Sequence, residues 1–518
     1  MNKNKTFAFV IIFSFVMSSF SIAQIKKAYR IDLLRLEEVY SILDKHAQMI
    51  WPGWNNYRQI PFLFNYPDGV RILVGHPNPP EEFKKIEELT FMGKQVYIDR
   101  SREFPLELNG SLTGGGGPIP FATADGKSIE VVEINVKTPD KEDKSASASR
   151  KLNPASLYPS EGQILIYIHE LFHCFQKTFF TFKRGNLDIN SDLNFAVYSE
   201  LEANSLKKAF GETDTSKIRK FVKEFIAERE MKNKSFKDQE EINLSDDEFM
   251  EGGATYSEVM TLQLLKGGFT SCNDLGKLDS TYKAFRSVDQ MYNARLRKID
   301  SISIQTMETK SRCYQYGLYQ ALILDRIIPA WKALAQKDNK ALDQILRESV
   351  KFNDAEKQQF IKEINESKEY RIAFERHKPI ISRRDSIYNE IINLKGRTFV
   401  ISFKQLEQFP NTPKNADVYS VGLMKIYPTG FDQVKINDVI LKGKYSPILN
   451  DQIYYFKWVD REVKPAGKEY EIEYSKKEDD IYYNATIKTS GFTLEAPKIQ
   501  IKENPFRIKI NILSSVKI

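Results

Sequence analysis

The run Gln163-Ile-Leu-Ile-Tyr-Ile-His169-Glu170-Leu171-Phe172-His173-Cys-Phe-Gln-Lys-Thr-Phe-Phe180 governs what the middle of this chain must be. Ile164, Leu165, Ile168, Leu171, Phe172, Phe175 and Phe179 recur at the spacing of one helical face. No proline or glycine interrupts Gln163 to Phe180, and Ser160 with Gln163 reads as a capping box after Pro159. The spacing therefore predicts a buried helix. It carries two of the five histidines in 518 residues, in the pattern H-E-x-x-H. Positions i and i+4 of a helix sit about 6 Å apart on one face. Two imidazoles so placed can grip one zinc ion, Zn2+, at about 2.0–2.1 Å each. The glutamate beside the first histidine reaches the water on such an ion and can take its proton. A greasy helix bearing three such groups would otherwise leave them unsatisfied. His169 and His173 are thus expected metal ligands and Glu170 the catalytic base.

Zinc that works on water needs a third protein ligand, and no further histidine follows at the spacing of a three-histidine site. A carboxylate is left. Glu251-Gly252-Gly253-Ala254-Thr255-Tyr256 resembles the E-G-x-A-x-Y helix of gluzincins, a family of zinc peptidases. The resemblance implies Glu251 as third ligand, with a glycine beside it so that two helices approach closely. Glu200-Leu201-Glu202-Ala203-Asn204 resembles the E-x-x-A-D helix of other gluzincins, with asparagine in place of the aspartate. That match implies Glu200 or Glu202 as the alternative ligand, with Asn204 bonding a zinc histidine, and Thr255 is the corresponding candidate beside Glu251. Glu200 follows His173 by 27 positions (200 − 173) and Glu251 by 78 (251 − 173). The longer spacing requires inserted helices, which Tyr198–Phe210 and Lys217–Lys232 supply; Glu251 is the preferred ligand. Asp246, Asp247 and Glu248 before it also suit a helix N-terminus, where acids complement the dipole.

Enzymes of this kind place a donor beside the metal to stabilise an oxyanion. Tyr314, Tyr316 and Tyr256 are candidates, although aromatics at helical spacing usually serve the core. His46, His76 and His377 read as surface or turn residues. Gly114–Gly117 lacks the G-K-[ST] of a phosphate loop, so nucleotide binding is not expected. In gluzincins an edge strand beside the zinc helix binds the substrate backbone, and Ser128–Val136 alternates well enough to be that strand.

Residues 1–23 read as a secretory signal peptide: Lys3 and Lys5, an apolar stretch from Phe7 to Met17, then Ser21-Ile22-Ala23. The product is expected to be exported, periplasmic or extracellular, with no transmembrane segment in the mature chain. Three cysteines make no disulfide framework, and leave a Cys272–Cys313 bridge open. The net charge of +7 is spread along the chain rather than gathered into a basic stripe, so nucleic acid is not an expected partner.

The expected fold is α+β. Residues 24–150 form the N-terminal α/β part of a catalytic region, with a helix at Tyr29–Met49, strands at Gly69–Val74, Gln95–Ile98 and Ser128–Val136, and a loop at Lys137–Lys151. Residues 151–395 form a mostly helical, zincin-like zinc-binding body. Short β-rich segments from 396 to 518 suggest a sandwich-like accessory domain whose partner the sequence does not name. Trp51-Pro-Gly-Trp54, His76-Pro-Asn-Pro-Pro80, His169–Gln176, Glu251–Tyr256 and Leu324–Trp331 together resemble a group of exported bacterial proteins with gluzincin-like cores, over roughly residues 40–335. The resemblance implies a zinc metallohydrolase acting on a peptide or protein substrate. A binding protein on a peptidase-like fold, or a hydrolase of a non-peptide bond, is the alternative.

Overall fold

Alternating apolar residues near the N-terminus pair into a sheet, and the long helical periodicities downstream coil as expected. The protein is described from a computed structural model. It describes residues 30–66, 69–100, 116–136, 159–183, 192–235, 238–301, 310–392, 398–402, 419–421, 424–426, 431–436, 439–443, 448–450, 461–463, 470–489, 492–503 and 507–513. The signal peptide expected at 1–23, the loop expected at 137–151, and Gly114 and Gly115 lie outside these residues.

The helices are α1 (residues 30–50), α2 (Pro159–Gln176), α3 (Leu193–Gly211), α4 (Thr215–Asn233), α5 (Asp238–Leu265), α6 (Leu275–Leu278), α7 (Val288–Arg297), α8 (Lys310–Ile327), α9 (Trp331–Asp338), α10 (Leu342–Val350), α11 (Asp354–Glu366) and α12 (Lys368–Ile392). The N-terminal strands are β1 (Phe62–Asn65), β2 (Arg71–Val74), β3 (Lys84–Phe91), β4 (Lys94–Asp99), β5 (Gly116–Ala122) and β6 (Ser128–Asn135). The chain divides into two units: Met1–Thr181 with Gly253–Asp300 and Lys332–Asn339, and Phe182–Gly252 with Ser301–Trp331 and Lys340–Ile518.

In the first unit the sheet order is β3-β4-β2-β1-β6-β5. β1 runs parallel to β6, and the other pairs are antiparallel. Alternation sends Phe62 and Phe64 of β1 to one face, where both rings meet Tyr167 of α2 at 5.8 and 5.7 Å between centroids. Leu63 faces the other way, into a cluster with Leu73, Phe83 and Val131. Trp51 and Trp54 fill the space beside α2, each with its ring centroid 5.1 Å from that of Phe172. Asp32 of α1 accepts hydrogen bonds from Arg35, Tyr66 and Tyr167, which ties helix, sheet and α2 together.

The helix α2 begins at Pro159, where a missing N–H costs nothing, and not at a Ser160 cap. Ser160 Oγ accepts from Arg35 Nε at 2.9 Å and pairs with Asp279. The helix stops at Gln176, four residues short of Phe180, and a turn follows.

In the second unit α3 and α4 lie against α11 and α12 around Tyr198, Leu201, Ala227, Ile361 and Ala373. A buried ionic cluster sits among α3, α4, α5, α8 and α10. Arg229 bonds Glu202 and Glu248, Lys232 bonds both oxygens of Glu202, and Arg312 bridges Glu202 and Glu248. Burial would raise the Glu202 carboxyl, but Lys232, Arg229 and Arg312 hold it below the ordinary value. Glycine is required where α5 crosses α8. A Cβ on Gly252 would lie 2.3 Å from Gly317 Cα, and one on Gly317 would lie 1.9 Å from the Glu248 carbonyl oxygen.

The C-terminal strands run from Thr398 to Ile512 and join one hydrogen-bonded sheet. Its apolar core draws on Ile487, Leu494, Ile499, Ile510 and Ile512. The chain is therefore α+β, with a small mixed N-terminal sheet, helices in the middle and an all-β C-terminal part.

Candidate metal centre

The helical phase of α2 brings His169 and His173 side by side, with ring centroids 4.7 Å apart and planes nearly perpendicular. Both are buried, as are Glu170 and Glu251. His169, His173 and Glu251 each offer one donor atom, and these atoms lie within 4.8 Å of one another. Glu251 sits well inside α5, which starts at Asp238, and so does not mark a helix N-terminus.

Each imidazole has a side-chain oxygen against its Nδ1. His169 Nδ1 lies 2.8 Å from Glu258 Oε1, and His173 Nδ1 lies 3.0 Å from Gln176 Oε1. Each acceptor oxygen calls for a proton on Nδ1, which leaves the lone pair on Nε2. Glu258 is held in turn by Arg295, 2.5 Å from its other oxygen. Burial would raise the Glu258 carboxyl, but Arg295 and His169 outweigh it and keep the group below its ordinary value. Burial and Arg295 bring Lys298 down to about 8.

Glu258 was not among the candidates read from sequence. The signal was available: seven residues beyond Glu251 is nearly two full turns, which returns a side chain to the same face of a helix. The resemblance directed attention to i+4, where Thr255 is buried, and the carboxylate arrives at i+7.

Two imidazoles and one buried carboxylate, with a hydrogen-bond acceptor on each ring, form a donor set that could hold a metal ion. Glu170 projects from the same helix next to His169. Its Oε2 lies 4.0 Å from where a Cβ on Gly117 would be. Strand β5 thus passes beside the carboxylate, and it is β5, not β6, that forms the sheet edge. Ser128–Asn135 is an interior strand, flanked by β1 and β5.

The edge has an unusual polarity. Thr123 N–H bonds the Lys127 carbonyl across the hairpin, so Phe121, Ile119 and Gly117 also turn their amides toward β6. Val132 N–H bonds Pro61 on the opposite side, which agrees with that phase. Pro118 and Pro120 therefore fall at outward positions, where a proline forfeits no ladder bond. The outward edge beside the site offers their carbonyl oxygens and no amide donor from either.

The remaining candidates have other partners. Glu200 bonds Arg376 and His377 at 2.6 and 2.8 Å, and Glu202 belongs to the ionic cluster. Neither joins the donor trio. Tyr316 is fully buried, donates to the Ser199 carbonyl and lies under the Arg312 guanidinium, 4.4 Å from its centroid. It is a core residue. Tyr256 is also fully buried, edge-on to Trp51 at 6.3 Å and 4.8 Å beneath Lys332 Nζ. Asn204 lines a cavity with Glu228, and the carboxylate that bonds His169 is Glu258. His76 and His377 are buried rather than superficial, at 2% and 4% exposure. Cys174, Cys272 and Cys313 are free. Burial, then nearby Glu130, pushes the Cys174 thiol far up, so it is an inert neighbour of His173.

Compared with known proteins, the chain matches no family model, no curated sequence and no solved structure. Among the described residues no helix is long and apolar enough to cross a membrane.

Proposed function

We propose that this protein is a zinc-dependent hydrolase of peptide or protein substrates. The observation that carries the reading is the meeting of three buried donors, from His169, His173 and Glu251, within 4.8 Å, next to a glutamate in the position of a base. A bound zinc ion supplies a Lewis acid and lowers the pKa of water to about 7. Glu170, next to His169, would be the base that takes a proton from the attacking water and returns it to the departing amine. Glu258 and Gln176 would hold the Nδ1 protons and so leave each Nε2 lone pair for the metal. The acceptor edge of β5 supports a peptide over a non-peptide substrate, because an extended backbone can donate its amides to the Pro118 and Pro120 carbonyls. The gluzincin resemblance of Glu251–Tyr256 belongs to the same proposal. So do export directed by residues 1–23 and an accessory role for residues 396–518.

Metal analysis of the purified protein tests the first half. About one zinc per chain is expected, lost in His173→Ala. Glu170→Gln should keep the metal and lower turnover of a mixed peptide pool by about 10²–10⁴-fold. Full activity in that variant, or no metal after incubation with zinc, overturns the reading. Stoichiometric zinc with no turnover of any peptide would favour a binding protein on a peptidase-like fold.

A further inference from the structure

A second candidate site lies within the second unit, among α3, α4, α11 and α12. A cavity of about 230 Å³ opens there. Its floor is Glu228, 4% exposed, whose Oε2 has no hydrogen-bond partner. A buried carboxylate oxygen without a partner is costly unless something meets it. The other charged groups facing it are Lys208 from α3, Glu224 from α4, Glu363 from α11 and Glu369 from α12. With every group ionised, four carboxyls against one ammonium give a formal charge of −3 (−4 + 1), and −2 (−3 + 1) while Glu228 keeps its proton. Leu201, Phe360 and Ile364 complete the wall with apolar surface.

This composition selects among ligands. An anion is repelled. A bare metal ion is poorly served, since the three-donor cluster among the described residues is the histidine site and not this one. The volume is several times the roughly 30 Å³ that one water occupies. A primary ammonium brings three donors to the carboxylates, and a methylene stem attached to it covers the apolar wall.

We propose that this cavity is a binding site for a small aliphatic amine, with its ammonium on Glu228 and its stem against Leu201, Phe360 and Ile364. The inference is independent of the hydrolase reading. Burial lifts the Glu228 carboxyl, a hydrogen bond with Ser205 and the Lys208 ammonium oppose it, and Glu224 and Glu202 add to it, for a result of about 8. The carboxyl is therefore mostly neutral at pH 7 and loses its proton when an ammonium arrives.

Calorimetry with 1,5-diaminopentane on the full-length protein tests the site. At pH 7 saturable binding is expected, with close to one proton released per amine, seen as a dependence of the heat on the ionisation enthalpy of the buffer. Glu228→Gln is a neutral isostere of the protonated acid and should weaken binding at least tenfold. Glu224→Gln serves as a second variant should the first not fold, with a smaller loss expected. The proposal is overturned by absent binding in the wild type, by unchanged affinity in a folded Glu228→Gln protein, or by equal affinity for 1-pentanol, which would make the cavity merely apolar.

Discussion

Glu258 is the residue whose removal separates orientation from ligation. It touches His169 through Nδ1 and does not join the donor trio. Glu258→Gln can still accept from Nδ1–H but carries no charge to strengthen the imidazole as a ligand. Zinc affinity, measured by competition with a chromogenic chelator, should fall about 10–100-fold, with the fold retained. An unchanged affinity would reduce the contact to packing. Glu228 makes a different prediction. Its pKa in the folded state, about 8, lies above the ordinary 4.5. Between those values the folded chain keeps a proton that the unfolded chain has released, so this group's contribution to stability falls as pH rises through that window. Without added amine, Glu228→Gln should melt above the wild type at pH 8.5 and converge with it near pH 5. A difference independent of pH would contradict the assignment. At this scale the side-by-side placement of His169 and His173 was legible because a five-residue pattern encodes a helical face. Tyr316 misled because an aromatic beside a glycine reads the same whether its hydroxyl meets a substrate or, as here, the Ser199 carbonyl.

Elements whose periodicity is long were legible, and those broken by glycine and proline were not. The helices at 159–176, 193–211 and 215–233 follow their apolar stripes to within a few residues. Strand β5 did not announce itself, because Gly116-Gly117-Pro118-Ile119-Pro120 carries the turn-formers of a loop. Only pairing with β6 makes it a strand, and only at an edge can it hold two prolines. The crossing of α5 and α8 gives the prediction proper to this scale. Gly317→Ala forces a methyl onto the Glu248 carbonyl, one turn before Glu251. A loss of about 1–3 kcal/mol is expected, read as a lower thermal midpoint. Zinc affinity should fall with it, since the turn that carries Glu251 must move. A variant as stable as the wild type would mean that the helices part freely at that point.

The molecule as a whole spends polar groups in its interior freely. Arg229, Arg312 and Lys232 are nearly inaccessible, each engaged with Glu202 or Glu248. Such clusters add little net stability, yet breaking one member costs about 3–5 kcal/mol, so they specify an arrangement more than they strengthen it. A bound ion strengthens it directly, because a ligand that prefers the folded chain raises its stability by mass action. Addition of a chelator should therefore lower the unfolding midpoint of the wild type by several degrees and leave His173→Ala unmoved. Equal midpoints with and without chelator would tell against a resident metal. The α+β class was legible from where helical periodicity gives way to short alternating segments near residue 396. The pairing order of the C-terminal strands was not, since short strands of similar composition carry little register information of their own.

The prolines of β5 also bear on how copies of this protein treat one another. An exposed rim of backbone is an invitation for a neighbour's strand to zip alongside, the first step toward fibrous clumping. Pro118 and Pro120 withhold every second tooth of that zipper. A flexible guest that brings its own donors can still rest there, whereas an identical rim, lacking the same teeth, finds no grip.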